Sequence, residues 1–195
     1  MAKRPILLFD VMDTIVYDPY RREIPEFFDL DLDELVELKH PTAWQEFERN
    51  DIDEATFFDK YFGDDHEFDG EELRGHIREA YRFVDGMETL LGDLTRRGCE
   101  IHALSNYPVW YRMIEDKLAL SRFLDWSFVS CKTGLRKPNP EVFEFALGQL
   151  GAEREACTFI DDRSVNCRAA EDLGISAIHF DNAEKLSDEL SAIIP

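Results

Sequence analysis

Five short apolar runs punctuate the chain, and each ends in polar residues. Ile6-Leu7-Leu8-Phe9 stops at Asp10, Ile101 to Leu104 stops at Ser105, and Cys157 to Ile160 stops at Asp161; Trp126 to Ser130 and Ile175 to Phe180 complete the set. Continuous apolar runs of this length predict strands buried on both faces, as in a parallel sheet. Between them lie segments with apolar positions at helical spacing. These are Gly86 to Arg97 closed by Gly98, Val109 to Leu118, Pro140 to Leu150 closed by Gly151, Ser164 to Leu173 closed by Gly174, and a last helix from about Asn182. The alternation predicts an α/β fold with a doubly wound parallel sheet, Rossmann-like in plan.

Residues 17–85 break that rhythm. They offer no buried strand and several acid-rich amphipathic patterns: Leu32 to Lys39, Thr42 to Arg49, Asp53 to Phe62 with Asp53 as N-cap, and Glu71 to Phe83, punctuated by Pro41 and Gly63. The predicted organisation is a core of residues 1–16 and 86–195, with a small helical cap at 17–85 inserted after the first strand.

Composition narrows the partners. The 22 Lys and Arg against 42 Asp and Glu leave a net charge of −20, which repels nucleic acid and anionic lipid, so neither is an expected partner. The acid is concentrated in residues 29–37, 46–54 and 64–72, an arrangement that reads first as a solvated face. An anionic substrate therefore needs a local cation. The four cysteines lack CxxC or zinc-like spacing and read as reduced thiols. With apolar residues beginning at Pro5, no room for a leader and no apolar window near the ~20 residues of a membrane span, the expectation is a cytoplasmic protein. Oligomeric state is left open.

In open α/β sheets, ligands bind beyond the carboxyl ends of the strands. There the sequence places Asp10, then Ser105 and Asn106, then Lys137 in the loop after the third strand, then Asp161 and Asp162. Singly, each has a plain structural explanation: strand-end aspartates cap helices, Ser-Asn forms turns, and Lys-Pro occupies loops. Together they supply a nucleophilic carboxylate, a hydroxyl or amide, an ammonium group and a carboxylate pair, a set suited to phosphoryl transfer.

Phe9-Asp10-Val11-Met12-Asp13-Thr14, Leu104-Ser105-Asn106, Arg136-Lys137-Pro138-Asn139-Pro140 and Phe159-Ile160-Asp161-Asp162 resemble, in order, the four motifs of haloacid dehalogenase-like (HAD) hydrolases. The resemblance implies a phosphatase working through an aspartyl-phosphate. Asp10 would be the nucleophile, Thr14, Ser105 and Asn106 would serve the phosphoryl group, and Lys137 would neutralise charge. Mg²⁺ would be held by Asp10, the backbone carbonyl of Met12, Asp161 and Asp162. Asn166 suits the loop orienting the acidic pair, although a helix-surface Asn is the simpler reading.

One position departs from the family pattern. Its phosphatases usually carry a second Asp two residues after the nucleophile as general acid and base; here that residue is Met12, which cannot carry a proton. Asp13 stands where Gly is usual and is read as structural. Met12 also admits two rivals: a metal-independent 2-haloacid dehalogenase, and a HAD-fold binding module with weakened catalysis. The Asp161-Asp162 pair argues against the first. The second would not require Asp10, Lys137 and the acidic pair to remain together. The stretches FDVMDTIVYDP, KHPTAWQEFE and SNYPVWY further resemble the flavin mononucleotide (FMN) hydrolase-type members of plant plastids, which implies FMN as the first small phosphorylated metabolite to consider, and sugar phosphates next. Trp44, Phe47, Tyr107, Trp110 and Tyr111 are the aromatic residues expected along the cap-core crevice.

Overall fold

The computed structural model describes residues 4–63 and 67–194. Residues 64–66 of the third acidic stretch lie outside the described part. In chain order the elements are β1 (Ile6–Phe9), α1 (Glu23–Phe27), α2 (Leu32–Leu38), α3 (Ala43–Glu48), α4 (Glu54–Tyr61), α5 (Gly70–Ala80), α6 (Met87–Arg96), β2 (Glu100–Ser105), α7 (Tyr111–Leu118), β3 (Asp125–Val129), α8 (Ser130–Thr133), α9 (Pro140–Leu150), β4 (Cys157–Asp161), α10 (Ser164–Glu171), β5 (Ser176–His179) and α11 (Ala183–Ile193).

All strand pairs are parallel, in the order β3-β2-β1-β4-β5. Consecutive strands grow outward from β1 to β3, and the chain then returns to the other side of β1. The order reverses between β1 and β4, whose register pairs Phe9 with Ile160 and sets Asp10 beside Asp161. Both strand faces are apolar because side chains alternate: Leu7 and Phe9 face the layer of α6, α7 and α11, while Leu8, Leu104 and Phe159 face α9 and α10.

The helix ends follow ordinary capping chemistry. Asp31 and Glu34 form a reciprocal capping box on α2, Asp53 accepts from Thr56 N, and Asn182 accepts from Lys185 N. Gly151 closes α9 at φ 56°, the left-handed conformation that a Cβ disfavours.

Several boundaries differ from the periodicity reading. The helix expected over Glu71 to Phe83 ends at Ala80, because residues 82–84 turn their backbone to the other linker: Tyr17 N donates to Arg82 O (2.9 Å) and Val84 N to Ile15 O (2.9 Å). The run ending at Ser130 gives a strand only to Val129, since Ser130 opens the one-turn α8. Helix α7 starts at Tyr111 rather than Val109, after a turn in which Tyr111 N donates to Pro108 O. The short α1, with Pro25 inside it, has no counterpart among the expected helices.

The inserted helices are not loosely attached. Phe47, Phe57, Leu73 and Ile77 share one continuous apolar cluster with Leu7, Phe9, Tyr107 and Trp110. Phe47 and Phe57 stack at 4.6 Å, and Trp110 meets both edge-on at 5.2 and 5.7 Å. Polar ties reinforce the seam: Trp110 Nε1 donates to Glu54, and Lys117 Nζ donates to the carbonyls of Arg78 (3.1 Å) and Glu79 (2.6 Å) at the end of α5.

Candidate active site

Asp10 leaves β1 at the switch point, its amide donating to Ile160 O at 2.8 Å. The next residues fold into a tight turn in which the amides of Ile15 and Val16 donate to Val11 O, and Asp13 N donates to Val16 O. This turn carries Thr14 back beneath the carboxylate, 3.5 Å from Asp10 Oδ2, a marginal hydrogen bond. Asp13 sits at φ 55° and accepts from Asp18 N at 3.0 Å. The left-handed backbone accounts for Gly being usual there, and the carboxylate secures the turn, in keeping with a structural role.

Lys137 crosses from the loop before α9 into the gap between β1 and β4. Its Nζ lies 2.7 Å from Asp10 Oδ1 and 2.6 Å from Asp161 Oδ2, and the residue is 2% exposed. Burial pulls the ammonium pKa down, but Asp10 and Asp161 outweigh it, so the group stands above an ordinary lysine and stays charged. Burial pushes Asp10 up to about 7; Lys137 offsets part of the rise, while Asp161 and Asp162 add to it.

Asn106 is spent on positioning. Its Nδ2 donates to Lys137 O and its Oδ1 accepts from Lys137 N, both at 2.8 Å, so the amide grips both backbone groups of the lysine. Asn166 is not the surface residue that helix position suggests. It is 2% exposed, and its Nδ2 lies 3.0 Å from both Asp161 oxygens. With Arg163 N (2.8 Å) and Lys137 also donating, Asp161 is fully engaged. Asp162 is the more open member of the pair; burial first, then Asp161 and Asp13, raise its pKa.

Two observations bear on ligands. Oxygens of Asp10, Asp161 and Asp162 all lie within 4.8 Å of one another, a hard-oxygen donor set that suits Mg²⁺. The carbonyl of Met12 is not used by the turn's hydrogen bonds. Since three donors already make four hydrogen bonds to Asp161, Asp10, Asp162 and the Met12 carbonyl would contact the ion, with Asp161 behind them. Ser105 Oγ is buried and has no hydrogen-bond partner among the described residues, an unfilled donor at the strand end where a phosphoryl oxygen would rest.

The cavity above Asp10, Lys137 and Asp162 measures about 400 Å³, and Thr14, Ser105 and Asp161 are not in its wall. Its walls carry Arg21, Lys39, Arg136, Lys137 and Arg163 against Asp10, Asp13, Asp18, Glu48 and Asp162, five of each sign in a chain of net charge −20. The local cation that an anionic substrate needs is therefore present several times over. Sequence reasoning missed Arg21, Lys39, Glu48, Arg136 and Arg163. Glu48 was findable: an acid adjoining Phe47 on a short helix calls for a buried partner, which is Arg136 at 2.6 Å. Of the expected aromatic residues, Trp44 and Tyr107 line the cavity and Trp110 lines a smaller one of about 170 Å³ beside it. Phe47 and Tyr111 line neither. Phe47 is core packing, and Tyr111 packs against Trp126 at 5.1 Å.

Residues 6–174 match the model of the haloacid dehalogenase-like hydrolase family. The chain belongs to that family. A flavin mononucleotide hydrolase of Arabidopsis thaliana, named as chloroplastic, is 48% identical over 189 residues, 97% of this chain and 77% of that protein. A sesquiterpene phosphatase of Aspergillus oryzae is 25% identical over 168 residues, covering 84% of this chain and 85% of its own. Among solved structures, a HAD family enzyme of Bacteroides thetaiotaomicron in complex with magnesium and inorganic phosphate superposes with a TM-score of 0.76 at 20% identity, over 92% of this chain and 96% of that one. The HAD hydrolase thus has its acidic cluster, buried lysine and strand-end serine at one switch point.

Proposed function

We propose that this HAD hydrolase is a Mg²⁺-dependent phosphatase of small phosphomonoesters, with FMN as its first candidate substrate. The observation that carries the reading is the buried Asp10–Lys137–Asp161 chain beside an open Asp162 and an unpartnered Ser105 hydroxyl. Asp10, whose Oδ1 faces Lys137, presents its other oxygen to phosphorus and forms the aspartyl-phosphate. Lys137 neutralises charge on the nucleophile and the phosphoryl group, and Ser105 and Thr14 donate to phosphoryl oxygens, in a site closed enough for such donors to count. Mg²⁺, when bound by Asp10, Asp162 and the Met12 carbonyl, supplies the remaining charge compensation.

FMN is supported by the 48% identity to a protein named for that activity and by the aromatic wall of Tyr20, Trp44 and Tyr107 against which a flat ring system can pack. The open acidic Asp162 opposes a haloacid carboxylate, which leaves the dehalogenase reading without support. The free thiols of Cys99, Cys131 and Cys167 favour a reducing compartment. The test is release of phosphate from a panel of metabolite phosphates containing FMN and sugar phosphates, with Mg²⁺ and with EDTA. Mg²⁺-dependent turnover with FMN as the preferred ester is expected. Turnover of a 2-haloacid in EDTA, with no phosphate released from any ester, would overturn the reading.

A further inference from the structure

Met12 leaves the chain without the carboxyl that ordinarily protonates the leaving group, yet FMN and sugar phosphates are alkyl esters whose alkoxides leave poorly without a proton. Asp13 is held at φ 55° with its carboxylate accepting from Asp18 N. Glu48 is bound by Arg136 at 2.6 Å. Asp162 stands in the acidic cluster. Asp18 differs from all of these in its place. It is the carboxyl residue that lines both the cavity over Asp10 and the adjoining aromatic one, which it shares with Tyr20, Lys39, Trp44 and Tyr107. An ester bridges its phosphate and its organic part, so the leaving oxygen belongs at that junction.

We infer that Asp18 is the general acid and base of this enzyme, replacing the carboxyl that Met12 lacks. The inference rests on the phosphomonoesterase reading above. In the first half-reaction an Asp10 oxygen bonds to phosphorus as the P–O ester bond breaks, and the Asp18 carboxyl gives its proton to the departing oxygen, yielding the alcohol. In the second, the Asp18 carboxylate takes a proton from water as the water oxygen bonds to phosphorus. The Asp10–phosphorus bond then breaks, releasing inorganic phosphate and restoring both groups. Burial pushes the Asp18 carboxyl up to about 6; Asp13 and Asp162 add to the rise, and the Tyr20 amide and Arg21 oppose it. A group so placed can supply and recover a proton near neutrality. One of its oxygens accepts from Tyr20 N at 3.0 Å and fixes the turn Pro19–Arg21, so the residue is held in place in the cavity wall.

The test is Asp18→Asn, which keeps the acceptor for Tyr20 N and removes the proton. Wild type and variant, both with Mg²⁺, are compared on FMN and on 4-nitrophenyl phosphate, whose leaving group needs no protonation. For the variant we expect a 10²–10⁴-fold lower kcat on FMN. On the aryl ester it should give a rapid burst of nitrophenol, close to one equivalent per enzyme, followed by slow turnover as the aspartyl-phosphate waits for a base. The burst certifies a folded site. FMN turnover within about threefold of wild type overturns the proposal, and so does the loss of burst and turnover alike, which would make Asp18 structural. If wild type cleaves sugar phosphates but not FMN, the comparison on the preferred sugar phosphate tests Asp18 while the substrate reading alone fails. A wild type that cleaves aryl but no alkyl esters has no working acid, and the Asp18 assignment falls with it.

Discussion

Replacing Asp10 by Asn should abolish turnover and at the same time stabilise the metal-free protein at neutral pH. The carboxyl is held to about pH 7 in the folded chain, while in the unfolded chain it ionises near its ordinary 3.8. The folded state thus keeps a proton that the unfolded state releases, and stability falls as pH rises from about 4 to about 7, levelling off above. At pH 7 the unfavourable carboxylate costs about 4 kcal/mol, and near pH 4.5 about 1 kcal/mol, at 1.36 kcal/mol per pKa unit. Asparagine escapes that cost, and below pH 7 its amide offers Lys137 a neutral acceptor as the protonated wild-type carboxyl does, so the substitution itself adds little further pH dependence. The gap between variant and wild type should therefore widen by about 3 kcal/mol from pH 4.5 to pH 7.5, several degrees in Tm for a chain of this size. Thermal or urea unfolding of both proteins in EDTA across that range measures it. Added Mg²⁺ should narrow the gap at pH 7.5 by binding wild type more tightly. A gap that is flat or shrinks as pH rises would refute the claim that the nucleophile is held as an uncomfortable buried charge.

The acidic pair should separate in its effects. Asp162→Ala should raise the Mg²⁺ concentration needed for half-maximal activity with little change in Tm, whereas Asp161→Ala strips Lys137 of a buried partner and should destabilise by about 3–5 kcal/mol; titration with Mg²⁺ beside thermal melts distinguishes them. Asn106→Ala should lower kcat with a smaller effect on KM, since it frees the Lys137 backbone rather than a substrate contact, and steady-state kinetics on the best ester checks this. Phe57→Ala, at a fully buried ring between the inserted helices and Trp110, should cost about 3–5 kcal/mol in urea unfolding.

What could be read from the chain beforehand is what local pattern encodes. The strands show themselves because a sheet covered on both faces demands unbroken apolar runs, and their polar ends mark the ligand side. Asn182 and Asp53 announce helix starts because a cap is a bond to a residue two or three positions on. The contacts that arrange the site obey no such period. Asn106 holds a backbone 31 residues away, and Asn166 holds Asp161 only because α10 folds back onto β4. Helix α1 escapes because Pro25 mimics a break, although the residue lies in its first turns, where a missing amide costs little. The end of α5 escapes for the converse reason. Tyr81-Arg82-Phe83 continues the helical spacing, but Arg82 O and Val84 N have partners on the antiparallel course of residues 15–17.

The apolar seam between the inserted helices and the sheet has a consequence for protein engineering. Trp110 belongs to the approach to α7, yet it packs on Phe47, Phe57 and Trp44 and donates to Glu54 of α4. Tyr107 follows β2, yet it meets Trp44 at 5.8 Å and hydrogen-bonds to Tyr81 Oη at 2.7 Å. Residues 17–85 are contiguous in sequence but do not form an exchangeable cassette. A chimera that imports another family member's insertion at those two junctions would leave an indole and a phenol without their neighbours, and would need to carry positions 107–110 along with the graft.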